Sequence, residues 1–201
     1  MPTGVAIRDP RGQLFDAAER VLLRTGPSGL TSRAVTAEAG VAKGVLHRHF
    51  ADFDDFLTAL ALDRVALIGA AADELHAAAG TGTVAGNLAA VLPEVLSSGY
   101  LGLIRLVIAR DELRARLRAA TGSRLPLMSE STVLVARYLE AERDRGRITA
   151  GADIATLAPT LIGAVHLLFS DADGAAPDQA ALARVIAAVI GTAVAGVTAS
   201  G

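Results

Sequence analysis

The apolar residues of this chain recur at helical spacing from Leu14 almost to its end. No segment sustains an apolar–polar alternation of period two, which a half-buried strand requires. A 201-residue chain patterned in this way builds its core from packed helices, and the length allows one large domain or two small ones. Composition narrows this further. Hydrophobic residues make up 52%, yet aromatics only 3%, with no Trp and 20 Gly. Ala, Val, Leu and Ile therefore fill the interior, which suits closely packed helices and not an aromatic-rich β-sandwich. Cysteine is absent, which rules out a disulfide scaffold, a thiolate metal site and a Cys nucleophile.

Local signals place about nine helices. Asp9 caps a first helix whose initial turn accepts Pro10, and Leu14, Ala18, Val21 and Leu22 share one face until Gly26–Gly29 stops it. Thr31 caps a short second helix with Val35 and Ala39 inward. Gly40 supplies a sharp turn, Val41 tucks beneath it, and a third helix covers residues 42–49. Asp52 caps a long helix, with Asp55 as a capping-box partner. Beyond the Gly80–Gly82 break, helices are expected over 84–96, 100–118 (kinked near 109–111), 127–145, 153–169 and 178–197. The longest uncharged apolar stretches, Ile154–Ser170 and Val185–Gly201, fall short of the ~20 residues of a membrane span. They read as buried helices, and no membrane partner is expected. The opening residues lack a signal-peptide apolar run, which with the missing cysteine points to a cytoplasmic location.

The net charge of −2 conceals an asymmetry. Up to residue 50 there are seven basic and four acidic residues; beyond it there are twelve and seventeen. A basic amino-terminal quarter on an acidic body suggests that any nucleic-acid contact lies at the amino terminus. Two short helices joined by a glycine turn lie there, the pattern of a helix-turn-helix. The second of these, with Ala42, Lys43, Gly44, His47 and Arg48 outward and Leu46 inward, is small enough to enter a major groove.

The stretch Leu14–Leu57 contains Ala17-Ala18, Gly26, Thr31, Ala39-Gly40-Val41, Lys43-Gly44-Val45-Leu46 and His47-Arg48-His49-Phe50 in continuous register. It resembles the DNA-binding domain of the TetR family of transcriptional repressors over about a fifth of the chain. It departs from that pattern at Ala42, His47 and Phe53, where the family usually carries Ser, Tyr and Lys. The resemblance implies an all-α fold: a helix-turn-helix domain over 1–51 and a helical ligand-binding and dimerisation domain over 52–201. It implies that Thr31, Arg33, Lys43, Gly44, His47, Arg48 and His49 line the DNA face. Lys43 and Val45 are the candidates for base-edge contact, since lysine donates to guanine and a valine methyl touches that of thymine. The arm residues Arg8 and Arg11 are candidates for neighbouring phosphates.

One helix-turn-helix reads one half-site, so a homodimer on a palindromic double-stranded operator is expected. The stripe Leu182, Val185, Ile186, Val189, Ile190, Ala193 and Val197, with Leu161, Ile162, Val165 and Leu168, is the candidate dimer seam. The resemblance also implies a small-molecule effector. The candidate pocket comprises Leu88, Leu92, Tyr100, Leu103, Ile104, Val107, Met128, Val135, Tyr138, His166 and Phe169, a mix that suits an apolar ligand. No cofactor, metal or catalytic activity is expected. His47 and His49 do not share a helix face, and the sequence holds no phosphate loop, HExxH or GxSxG. A second reading stays open: a ligand- or partner-binding helical protein with a weakened DNA site.

Overall fold

The computed structural model describes residues 9–170 and 178–195. These form ten α-helices: α1 (Pro10–Gly29), α2 (Ser32–Glu38), α3 (Gly44–His49), α4 (Phe53–Ala77), α5 (Val84–Val95), α6 (Ser98–Ala109), α7 (Asp111–Thr121), α8 (Pro126–Asp144), α9 (Ile154–Ser170) and α10 (Gln179–Ile190). The only β pairing among the described residues is a bridge between Ile148 and Val194. The all-α class holds.

The expected caps form. Asp9 accepts the Gly12 amide at 2.9 Å, Thr31 that of Ala34 at 3.1 Å, and Asp52 that of Asp55 at 2.6 Å. Asp55 reaches back to the Ala51 amide at 3.0 Å, so the capping box closes one residue earlier than the motif predicts. Asp153 accepts the Thr156 amide at the start of α9. Each such cap contributes about 1 kcal/mol. At Gly26, φ of 69° interrupts α1, which is where the sequence stops the first helix.

The ninth-to-tenth discrepancy has one cause. The segment expected to run from 100 to 118 with a kink is two helices, separated at Arg110, whose backbone is extended (φ −125°, ψ 107°). Arg110 is held there by tertiary contacts. Its guanidinium lies 5.8 Å from the Phe53 ring centroid and 3.3 Å from Asp54 at the start of α4. The last helix ends at Ile190 and not at 197. The chain after it pairs back, the Thr149 amide bonding to Ala193 and the Ala195 amide to Arg147. Val197 lies outside the described residues.

Helix α1 packs on α2 and on α6, so the amino-terminal unit is seated directly on the body. The long α4 lies against α8 and touches α5 and α7; α9 lies between α8 and α10. Phe15, Phe50, Phe53 and Phe56 form one aromatic knot where α1, α3 and α4 meet, with centroids 5.1–5.9 Å apart. Four of the five phenylalanines are thus spent on fixing the short α3 to the start of α4.

The expected dimer stripe is in part buried inside the chain, while Leu168, Val185 and Val189 stay half-buried. Leu161, Ile162, Val165, Leu182, Ile186 and Ile190 are all buried against α5, α8 and one another. Periodicity located the buried faces of α9 and α10, and the fully buried part of them is covered within the chain. The opposite faces expose Pro159, Gly163, Ala183, Ala187 and Ala188, with Leu167 62% exposed. No single helix among the described residues is long and apolar enough to cross a membrane.

Candidate functional site

The helix-turn-helix is built by its turn. Gly40 adopts φ of 66°, its amide bonds to the Ala37 carbonyl, and the Val41 amide bonds to that of Thr36 at 3.0 Å. This pair of bonds satisfies the last carbonyls of α2 and sends the chain sharply into α3. Leu46 is fully buried and Phe50 nearly so, which fixes the inner side of α3. Its outer side is then determined: Ala42, Lys43, Gly44, His47, Arg48 and His49 are exposed, and Val45 is half-buried. Thr31 and Arg33 are exposed on α2. Seven of the eight residues expected at the DNA face therefore reach solvent. The Thr31 oxygen accepts the Ala34 amide, which leaves its O–H free to donate to an anion. With Ala at 42, the start of α3 has no side-chain cap.

The basic residues of this quarter divide into two groups. Arg20 and Arg24 both pair with Glu38, at 2.9 and 2.8 Å, and brace α1 against α2; the two arginines hold the Glu38 carboxyl below its usual range. Arg11 lies 4.6 Å over the Phe50 ring. Arg33, Lys43 and Arg48 form no ion pair among the described residues. These three supply the unneutralised positive charge of α2 and α3. Arg8 lies outside the described residues. The start of α4 is acidic, and Arg110 together with α7 neutralises it: Arg110 pairs with Asp54, and Arg116 of α7 lies 3.4 Å from Asp52. Phe53, where the resemblance expects lysine, stacks on Phe56 and supports Arg110.

The body contains a cavity of about 300 Å³. Its wall includes Glu19 of α1, Arg64, Leu67 and Ile68 of α4, and Leu127 of α8. Glu94, Val95 and Tyr100 close it at the α5–α6 joint. Of the eleven residues expected to line a pocket, this cavity takes Tyr100 alone. Leu88, Leu92, Leu103, Val135 and Tyr138 have no exposed surface, and Ile104, Val107 and Phe169 very little; all eight pack in the core. Met128 is half-buried beside that core, and His166 is partly exposed on α9. The cavity residues that sequence reasoning missed are charged. Arg64 lies 2.6 Å from Glu19, 3.2 Å from Asp16 and 3.6 Å from Asp63. Burial pushes the Glu19 carboxyl up, against the downward pull of Arg64.

Burial also pushes the Tyr100 hydroxyl up, to about 12; it accepts a bond from Ser131 at 3.4 Å. Tyr138 is displaced further in the same direction, by burial and by Glu142, while Asn87 donates to its oxygen at 2.9 Å. No group of His, Asp or Glu among the described residues has the arrangement of a metal site.

Residues 14–60, which hold the turn and both short helices, match the family described as bacterial regulatory proteins, tetR family. The amino-terminal helix-turn-helix is thus similar to the DNA-binding domain of that family. The TetR-like fold extends over nearly the whole chain. A TetR-family transcriptional regulator from Agrobacterium tumefaciens superposes with a TM-score of 0.70 at 15% identity, covering 92% of this chain and 98% of its own. A TetR-family member from Streptomyces coelicolor A3 gives 0.63 at 25% identity, covering 90% and 98%. The multidrug binding protein EbrR, complexed with imidazole, gives 0.53 at 26% identity, covering 92% and 96%. No curated protein matches the chain. The TetR family comprises regulators, and this chain is similar to them in sequence over residues 14–60 and in fold over its helical body.

Proposed function

We propose that the chain is a ligand-responsive repressor that binds a palindromic operator as a homodimer and is released by a small molecule held in its body. The observation that carries this reading is the set Arg33, Lys43 and Arg48. These cations sit exposed and unpaired on α2 and α3, while their neighbours Arg20 and Arg24 are neutralised by Glu38. Thr31, Gly44, Val45, His47 and His49 complete the DNA face. Phosphates are met by Arg33 and Arg48 and base edges by Lys43 and Val45.

The geometry of α3 supports a dimer. One α3 is six residues long and reads a single half-site, so affinity and specificity both rise when two copies are held one helical turn apart. The small-residue faces of α9 and α10, with Gly163, Ala183, Ala187 and the exposed Leu167, allow a second copy to approach closely. The similarity to EbrR, a multidrug binding protein, supports a small-molecule effector. The effector acts by preferring the conformation in which the two α3 helices do not fit the operator. The protein acts in the cytoplasm, where its DNA lies.

The test is selection of binding sites from a random duplex library. Enrichment of an inverted repeat with half-sites about one helical turn apart is expected. Recovery of no preferred sequence at moderate salt would favour the reading in which the DNA site has weakened.

A further inference from the structure

The cavity has an apolar floor and an acidic edge. Leu67, Ile68, Val95 and Leu127 supply the floor, and Leu67 is 53% exposed at the rim. Glu19 and Glu94 supply the edge. Glu94 is exposed and has no ion-pair partner among the described residues. Arg64, the one cation in the wall, is already faced by Glu19, Asp16 and Asp63. Charge at this end of the cavity is therefore unbalanced toward negative. An entering anion meets a guanidinium already surrounded by carboxylates and one further carboxylate, Glu94, at the edge. A neutral apolar molecule gains the floor but leaves the edge uncompensated. A molecule with an apolar body and a positive head satisfies both.

On this basis we infer that the effector is an organic cation, an ammonium carried on a small apolar body, whose head is bound by Glu19 and Glu94. This rests on the reading of the body as an effector-binding unit. The volume is at the small end of the ~300–1,000 Å³ typical of ligand sites, so the body is one ring and a short chain. The upward displacement of the Glu19 carboxyl agrees, because it marks a buried charge that Arg64 compensates incompletely.

The position of Glu19 gives the cation a route to the DNA-binding domain. Glu19 belongs to α1, pairs with Arg64 of α4, and packs against α6, where a Cβ at Gly99 would lie 3.1 Å from its Cδ. Glycine at 99 leaves room for this carboxylate. A cation that takes Glu19 competes with Arg64 for it and loosens the bond between α1 and α4.

The experiment measures binding of phenylbutylamine, phenylbutanol and phenylbutyrate to the full chain by titration calorimetry, without DNA. The three share one apolar body and differ in charge. The amine is expected to bind about tenfold or more tighter than the alcohol, and the carboxylate weakest. Glu94→Gln, at an exposed rim position, narrows the amine–alcohol gap about threefold or more, and Ala71→Phe, at a further wall residue on α4, fills the cavity and removes binding of both. An alcohol or carboxylate that binds as tightly as the amine overturns the cation and leaves the effector site standing. Failure of all three to bind at millimolar concentration overturns both. An amine–alcohol gap that survives both Glu94→Gln and Glu19→Gln also overturns the assignment.

Discussion

The division of basic residues into paired and unpaired sets makes a quantitative prediction about salt. Each phosphate neutralised by a protein cation contributes about −0.9 to the slope of log affinity against log salt. Arg33, Lys43 and Arg48 are the three exposed cations of α2 and α3 without an ion pair, so a dimer presents six. If all six meet phosphate, the slope is about −5, and affinity falls about a thousandfold between 50 and 200 mM salt. Replacing Arg33 or Arg48 by Ala, which removes two cations per dimer, reduces the slope by about 1.8. Arg20→Ala and Arg24→Ala leave it nearly unchanged, because those guanidiniums already serve Glu38 at 2.9 and 2.8 Å. Lys43→Ala separates the two roles of that residue. As a base contact it costs about 1–3 kcal/mol at one operator position with little change in slope. As a phosphate contact it weakens all sequences alike. Fluorescence anisotropy on a selected operator at several salt concentrations gives every one of these slopes. The reasoning is refuted if Arg20→Ala lowers the slope as much as Arg33→Ala, or if the unmodified protein shows a slope shallower than about −2.

The two glycines of the helix-turn-helix should respond in opposite directions: Gly40, at φ of 66°, loses about 1 kcal/mol on substitution by Ala, whereas Gly44, helical and with nothing within 4 Å of an added Cβ, gains about 0.5 kcal/mol or more. Thermal denaturation of the two variants gives the signs, and equal signs contradict the account of the turn. The tyrosines make the fold alkali-sensitive: both ionise less readily folded than unfolded, so the stability they contribute is present below the unfolded value near 10 and lost as pH rises through about 12 for Tyr100. Phenolate absorbance should appear only together with unfolding, and a titration that precedes loss of helical signal counts against their burial. At the acid end, burial holds His166 below its ordinary value, so it contributes stability above about 6.5 that is lost as pH falls through its folded value. His166→Phe should flatten that limb of the stability profile.

What was legible in the sequence was local. Asp9, Thr31, Asp52 and Asp153 cap helices because a carboxylate or hydroxyl reaches an amide two or three residues ahead, whatever the rest of the fold does. Gly40 and the inward Leu46 were legible for the same reason. The break at Arg110 was not, since arginine is a good helix former and only Phe53 and Asp54, more than fifty positions earlier, hold it extended. Nor was the cavity. Leu88 and Val135 have the character of pocket residues yet are sealed in the core, whereas Arg64 and Glu19 line a void where α1, α4, α5, α6 and α8 meet. Periodicity says that a face is covered; it does not say by what. The α9–α10 stripe shows this: Leu161, Val165, Leu182 and Ile186 are covered by their own chain, whereas Leu168, Val185 and Val189 are only half-buried.

The ion pairs give α4 two charged attachments, one to the body and one to α1. At the start of α4, Arg116 of α7 and Arg110 hold Asp52 and Asp54; about three turns on, Arg64 holds Asp16 and Glu19 of α1. The two work in opposite electrostatic senses. Release of Arg110 and Arg116 uncovers two carboxylates at the base of α3, and phosphate repels them. Release of Arg64 frees α1 without adding negative charge to the α3 end. A motion of α4 that breaks both would therefore lower DNA affinity twice over, once by charge and once by the lost alignment of α3. The aromatic knot of Phe15, Phe50 and Phe56 would make that motion collective, because it joins α1, α3 and the start of α4 into one packed unit.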